Sequence, residues 1–117
     1  MKIREVAELL QAEVLCGNKL IEGEVHSACG ADMMSDVLAF VKDQSVLLTG
    51  LVNPQVVRTA EMMDMKCIVF VRGKRPEPAM LELAEAKNIV LLSTQMRMYS
   101  ACGILYKNGL GAGECCV

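Results

Sequence analysis

No apolar run in this chain approaches the ~20 residues that a membrane-crossing helix needs; the longest are of strand length. The opening Met1-Lys2-Ile3-Arg4-Glu5-Val6 is charged and amphipathic and lacks the apolar segment of a signal peptide, so a cytoplasmic location is expected. Neither sign of charge dominates. Lys and Arg number 12, Asp and Glu 14, and the net charge is -2. That balance removes the electrostatic case for nucleic acid as the main partner, which needs a basic surface. Histidine occurs once, at His26, and no Cys-x-x-Cys is present. The cysteines therefore have no zinc-site spacing, and no metal site is expected. A Gly-x-x-x-x-Gly-Lys-[Ser/Thr] loop is missing, which excludes a P-loop phosphotransferase. So is the Gly-x-Ser-x-Gly elbow of a serine hydrolase. The stretch Gly109-Leu110-Gly111-Ala112-Gly113 is glycine-rich but follows the last helical segment. A dinucleotide fingerprint joins a strand to a helix, so this is not one.

What is present is a core. The chain has 117 residues, 53% of them hydrophobic, enough for one domain without disulfides or metal. The six cysteines are Cys16, Cys29, Cys67, Cys102, Cys115 and Cys116. Cys67 opens an apolar run and Cys102 sits in a helical pattern; both read as small buried hydrophobes, and the set as reduced thiols. Cys115 and Cys116 fall in a glycine-rich end. Met62, Met63 and Met65 cluster at the end of one helical segment, as core or as a self-association surface.

Periodicity gives the elements. Ile3, Val6, Ala7 and Leu10 recur at helical spacing, predicting a helix over 3–12. A short strand follows at 12–16, a turn at Gly17-Asn18, and a second strand over 24–28. Helices are then predicted over 32–41, 54–64, 77–87 and 94–107, alternating with strands over 45–49, 67–71 and 89–92. Asn53 before Pro54 is a strong helix start. Ser93 or Thr94 is the expected cap of the last helix. The strands of the second half are continuous apolar runs, as in a parallel sheet covered on both sides. The expected fold is a single α/β domain, a mostly parallel sheet with helices on both faces, over residues 1–108. Residues 109–117 are expected to form a flexible Gly/Cys tail.

In open parallel sheets ligands bind outside the carboxyl ends of the strands. Polar, glycine-containing turns stand there: Ser27 to Asp32, Thr49-Gly50 with Asn53 at the next helix start, Arg72-Gly73-Lys74-Arg75, and Ser93-Thr94. Helix N-termini favour anions, and the basic turn adds charge, so a phosphate-bearing ligand fits. Caps and tight turns use the same residue types, so a purely structural role stands beside the binding role. The candidate ligand-binding residues are Thr49, Gly50, Asn53, Arg72, Gly73, Lys74, Ser93 and Thr94. No catalytic residue is expected. A nucleophile Cys29 paired with His26 or Asp32 is conceivable, but the spacing of Cys29 and His26 puts them on opposite faces of a continuous strand. Asp32 and Asp36, four apart, read as a solvated helix face.

The stretch Leu47-Leu48-Thr49-Gly50-Leu51-Val52-Asn53-Pro54, with Cys67 to Pro76, Leu91-Leu92-Ser93-Thr94 and the opening Val6 to Gly17, resembles the DRTGG domain family. The resemblance implies a fold similar to the N-terminal domain of HPr kinase/phosphorylase. The serine-kinase label some short relatives carry does not transfer, because the kinase P-loop is lacking. It further implies a regulatory, often dimeric module that accompanies other enzymes, among them regulatory pyrophosphatases with adenine-nucleotide-binding modules. Stand-alone copies resembling this one accompany hydrogenase and NADH-dehydrogenase-like subunits. The sequence departs from the family's name motif: Leu51-Val52 stands where Asp-Arg is expected, and Val71-Arg72-Gly73 where Thr-Gly-Gly is.

The expected function is a non-catalytic regulatory module, a homodimer, binding a nucleotide or other phosphorylated ligand at the strand ends. Beyond such an adenine nucleotide, no cofactor is expected. The alternative is an assembly protein for a hydrogenase or NADH-dehydrogenase-like redox complex, without a small-molecule ligand.

Overall fold

A computed structural model describes residues 1–40 and 45–113. The elements run α1 (Ile3–Leu10), β1 (Glu13–Cys16), β2 (Ala28–Gly30), α2 (Met34–Phe40), β3 (Val46–Thr49), α3 (Pro54–Met62), β4 (Cys67–Phe70), α4 (Pro78–Ala86), β5 (Val90–Ser93) and α5 (Met98–Lys107). The expected order and type of elements hold throughout.

Among the described residues the strands form one five-stranded sheet, in the order β1-β5-β4-β3-β2. The pairs β2–β3, β3–β4 and β4–β5 are parallel, and β1 lies antiparallel on β5. Strands β2 to β5 step across the sheet in one direction. Right-handed crossovers then put α2, α3 and α4 on the same face. The core divides accordingly. Leu47, Ile68, Phe70 and Leu91 face Val37, Val56, Val57, Ala60, Met80 and Ala84 of those helices. Val46, Leu48, Val69, Val90 and Leu92 face Ile3, Val6 and Leu10 of α1 and Ala101 and Leu105 of α5. Alternate residues of each strand are thus buried on opposite faces, which is why β3, β4 and β5 read as unbroken apolar runs.

Four local readings are corrected. The second strand is shorter and later than 24–28. Val25 N–H is taken by Met1 O at 2.7 Å and Glu24 bridges Lys2, so pairing with β3 begins only at Ala28, opposite Val46. His26 lies outside the strand and is exposed. The last helix begins at Met98 behind Arg97, because Ser93 and Thr94 donate their hydroxyls elsewhere. Helix α2 begins at Met34, so Asp32 precedes it and does not share a helix face with Asp36; Met34 and Val37 are buried while Met33 and Leu38 are exposed. Val41 lies outside the described residues, as do Cys115 and Cys116. Where a flexible end was expected from Gly109, Leu110 is buried in the core and Gly111 O accepts Ala28 N–H at 2.9 Å. An apolar side chain at 110 draws the chain back onto the sheet edge beside β2. No helix among the described residues is long and apolar enough to cross a membrane.

Candidate functional site at the carboxyl ends of the strands

The chain leaves β4 toward α4 on one face and leaves β5 toward α5 on the other. Between two such strand ends a crevice opens in this class of sheet. Here the backbone closes it. Arg72 N–H donates to Met96 O at 2.8 Å, and Gly73 N–H donates to Thr94 O at 2.8 Å. Gly73 has a φ of +69°, and a Cβ there would stand 2.7 Å from Gln95 Oε1. Only glycine lets the Gln95 amide lie against the turn. Ser93 Oγ donates to Lys74 O at 2.8 Å, adding a further stitch between the two loops.

This stitching turns Arg72 toward β3. Arg72 has a φ of +58°, in the left-handed region that non-glycine residues avoid at a cost of about 1 kcal/mol. Its guanidinium lies over Gly50: a Cβ at Gly50 would stand 3.0 Å from Arg72 Cζ. The guanidinium has no hydrogen bond or ion pair to any described residue. Its neighbour Arg75 differs. Arg75 grips Glu13 through two bonds of 2.8 and 3.1 Å, fastening the β4–α4 loop to β1. The hydrogen bonds from Arg75, then its charge, hold the Glu13 carboxyl below the usual range. Lys74 is exposed and has no ion pair among the described residues.

On the other side of Gly50 stands Asp32. Its Oδ1 accepts Gly50 N–H at 2.7 Å and the Thr49 hydroxyl at 3.1 Å. Thr49 Oγ1 in turn accepts Leu51 N–H at 3.1 Å. Asn53 caps α3, its Oδ1 accepting Gln55 N–H at 2.9 Å, with Pro54 in the first turn. Gly50 thus has two charged neighbours: the carboxylate of Asp32 from the β2–α2 loop on its N–H, and the guanidinium of Arg72 from the β4–α4 loop where a Cβ would stand.

The eight residues singled out in the sequence separate into two groups. Thr49, Ser93 and Thr94 are buried, and their hydroxyls are committed within the protein. The Thr94 hydroxyl donates to Leu10 O at 2.7 Å, tying the end of α1 to the β5–α5 loop. Asn53 spends its carbonyl oxygen on the cap. Gly50, Arg72, Gly73 and Lys74 reach the surface together. Sequence reasoning placed Asp32 in the polar turn after the second strand but left it out of the candidate ligand-binding residues, and it missed Gln95 as the partner of Gly73. The signal for Asp32 was its place two residues after the last residue of β2.

Cys16, Cys67 and Cys102 form no disulfide with any described residue. Burial pushes the Cys16, Cys67 and Cys102 thiols up, the opposite of what a nucleophile needs. Among the described residues no group of three or more His, Cys, Asp or Glu could hold a metal ion.

Comparison with known proteins adds the following. A family model described as the DRTGG domain matches residues 5–107. Among solved structures the chain is similar to the CBS and DRTGG domains of the regulatory region of Clostridium perfringens pyrophosphatase, complexed with an activator, diadenosine tetraphosphate. The TM-score is 0.70 at 16% identity, over 89% of this chain and 45% of that one. The chain thus spans less than half of that regulatory region. Comparison with curated proteins gives no match.

Proposed function

The chain belongs to the DRTGG domain family, and on that premise we propose that it is a cytoplasmic, non-catalytic regulatory module. It binds a nucleotide or another phosphorylated ligand at the carboxyl ends of β3 and β4. It works as a homodimer.

One observation carries this reading. Arg72 is held in a strained backbone conformation, and its guanidinium lies across a glycine with no hydrogen bond or ion pair to any described residue. Strain of this kind persists where surrounding structure over-determines it, and it concentrates at ligand sites. An arginine so placed presents its fork to a phosphate without first breaking an ion pair. Lys74 adds a second cation two residues away, and the carboxylate of Asp32 across Gly50 is an acceptor for sugar hydroxyls. The similar pyrophosphatase regulatory region is complexed with a dinucleoside polyphosphate, which supports an adenine nucleotide as the first ligand to try.

Titration calorimetry with AMP, ADP, ATP and diadenosine tetraphosphate tests the reading. The expected result is micromolar binding, weakened at least about tenfold in Arg72→Ala, the loss of one charge-assisted hydrogen-bonded contact. Absence of heat with all four overturns the ligand.

The second reading is an assembly protein for a hydrogenase or NADH-dehydrogenase-like redox complex. Met33, Leu38 and Met62 favour it: all three are exposed, at 62%, 41% and 69%, at and beside the neighbouring helices α2 and α3. Flexible methionine surfaces suit adaptable partners. Co-purification with redox-enzyme subunits, lost in Met62→Glu, is its expected signature.

A further inference from the structure

Helix α5 carries both tyrosines of the chain, and both are turned outward. Tyr99 is 91% exposed and Tyr106 70%. Between them lies Gly103, where an added Cβ would meet nothing within 4 Å. The two rings thus flank an open notch, and Tyr99, Gly103, Tyr106 and Lys107 border one surface depression. Exposed aromatic rings around a gap are uncommon on a surface with so few aromatics.

We propose that this face of α5 is a two-fold interface, on which a second copy of the chain packs its own α5 antiparallel, with the helices crossing at Gly103. The proposal gives a location to the dimeric part of the reading above and rests on that part alone. The geometry is self-complementary, as a two-fold contact requires. Antiparallel crossing at position 103 sets residue 99 against residue 107 of the other copy, and residue 106 against residue 100. Each Tyr99 ring then meets the ammonium of a Lys107, a cation–π pair that occurs twice by symmetry. Each Tyr106 hydroxyl meets a Ser100. Gly103, lacking a side chain, lets the two helices approach closely.

Charge at the ends fits the same arrangement. Residue 97 of one copy falls beyond residue 108 of the other. Arg97 is exposed and has no ion pair among the described residues. At that end of α5, Asn108 borders a depression with Glu5 and Glu8; Glu5 has no ion pair among the described residues, and Glu8 pairs with Arg4 at 3.5 Å. A parallel crossing would instead set Lys107 against Lys107 and Arg97 against Arg97.

Two ten-residue helices crossing once make a small contact of the weak, transient kind, so a dissociation constant in the micromolar to millimolar range is expected. Sedimentation velocity over a concentration series of the full chain tests this. The parent is expected to dimerise. Gly103→Glu places a charge at the crossing point, in open space where the monomer has no contact to lose. Tyr99→Ala removes a ring that is almost wholly exposed. Both should weaken association at least about tenfold, with far-UV circular dichroism unchanged. Met62→Glu, on α3, should leave association as in the parent. A parent that stays monomeric to millimolar concentration overturns the proposal. So does a dimer indifferent to Gly103→Glu and Tyr99→Ala, or one broken by Met62→Glu. Calorimetry on the same variants is independent of this outcome, because the ligand site lies at the ends of β3 and β4; loss of nucleotide binding and loss of dimer are read separately.

Discussion

Asp32 Oδ1 accepts the backbone N–H of Gly50 at 2.7 Å, so a carboxylate just past the end of β2 fixes the loop that leaves β3. The same oxygen takes the Thr49 hydroxyl, and Thr49 takes Leu51 N–H. These bonds hold Thr49 and the first two loop residues, Gly50 and Leu51, ahead of the Asn53 cap of α3. Asp32→Ala leaves Gly50 N–H and the buried Thr49 hydroxyl without their partner. A cost of about 2 kcal/mol is expected, the range for hydrogen bonds to a charged group. Urea denaturation reads it. Asp32→Asn keeps an acceptor oxygen and should recover about half of that loss.

Gly50 also decides where Arg72 goes. In Gly50→Ala the new methyl occupies the space of the guanidinium, and the Arg72 side chain has to leave. The Arg72 side chain is exposed and has no partner among the described residues, so stability should change by less than about 1 kcal/mol. Nucleotide affinity should fall as far as in Arg72→Ala. Equal affinity in Gly50→Ala and parent would mean that the guanidinium position is irrelevant to binding.

Arg72→Gly separates charge from conformation. Glycine adopts a φ of +58° without penalty, and that relief offsets its larger unfolded-state entropy. Stability within about 1 kcal/mol of the parent is expected, with ligand binding lost. A large drop in melting temperature would make Arg72 a structural residue. The ligand reading would then lose its main support.

The architecture is readable in the sequence because β3, β4 and β5 are buried on two faces and α3 starts with recognisable chemistry. Asn53-Pro54 is that start, and the structure gives the cap as drawn. The site was less readable, for a reason visible in Thr94. A hydroxyl at a strand end looks the same in sequence whether it faces a ligand or, as here, bonds Leu10 O from 84 residues away. The antiparallel seat of β1 on β5, the closure of the β4–β5 crevice and the turn of Arg72 toward Gly50 are likewise long-range. Local periodicity carries no information about them.

Thr94→Val tests that structural role. It keeps the shape and removes the hydroxyl, leaving Leu10 O and Met96 N–H unsatisfied. A loss of about 1 to 3 kcal/mol is expected, with nucleotide affinity unchanged. Thr59→Val should do the reverse. Thr59 Oγ1 is buried and has no hydrogen-bond partner among the described residues. Removing it should raise stability by up to about 1 kcal/mol. The pair separates a hydroxyl that is used from one that is not, at equal chemistry.

Acid should loosen the β4–α4 loop. The Glu13 carboxyl sits below its ordinary value of 4.5 because Arg75 hydrogen-bonds its charged form. A carboxyl whose folded pKa is depressed binds fewer protons folded than unfolded. Its contribution to stability is therefore complete above the ordinary value and is lost as pH falls through the lowered one. Both partners are exposed, so the effect is small and screened by salt. The measurement is the melting temperature from pH 7 down to about pH 3 at low and high salt, for the parent and Glu13→Gln. The parent should lose its advantage over Glu13→Gln below the ordinary carboxyl range, and the advantage should shrink at high salt. An advantage that persists at low pH would show that Glu13 acts by packing against β5, not by pairing with Arg75.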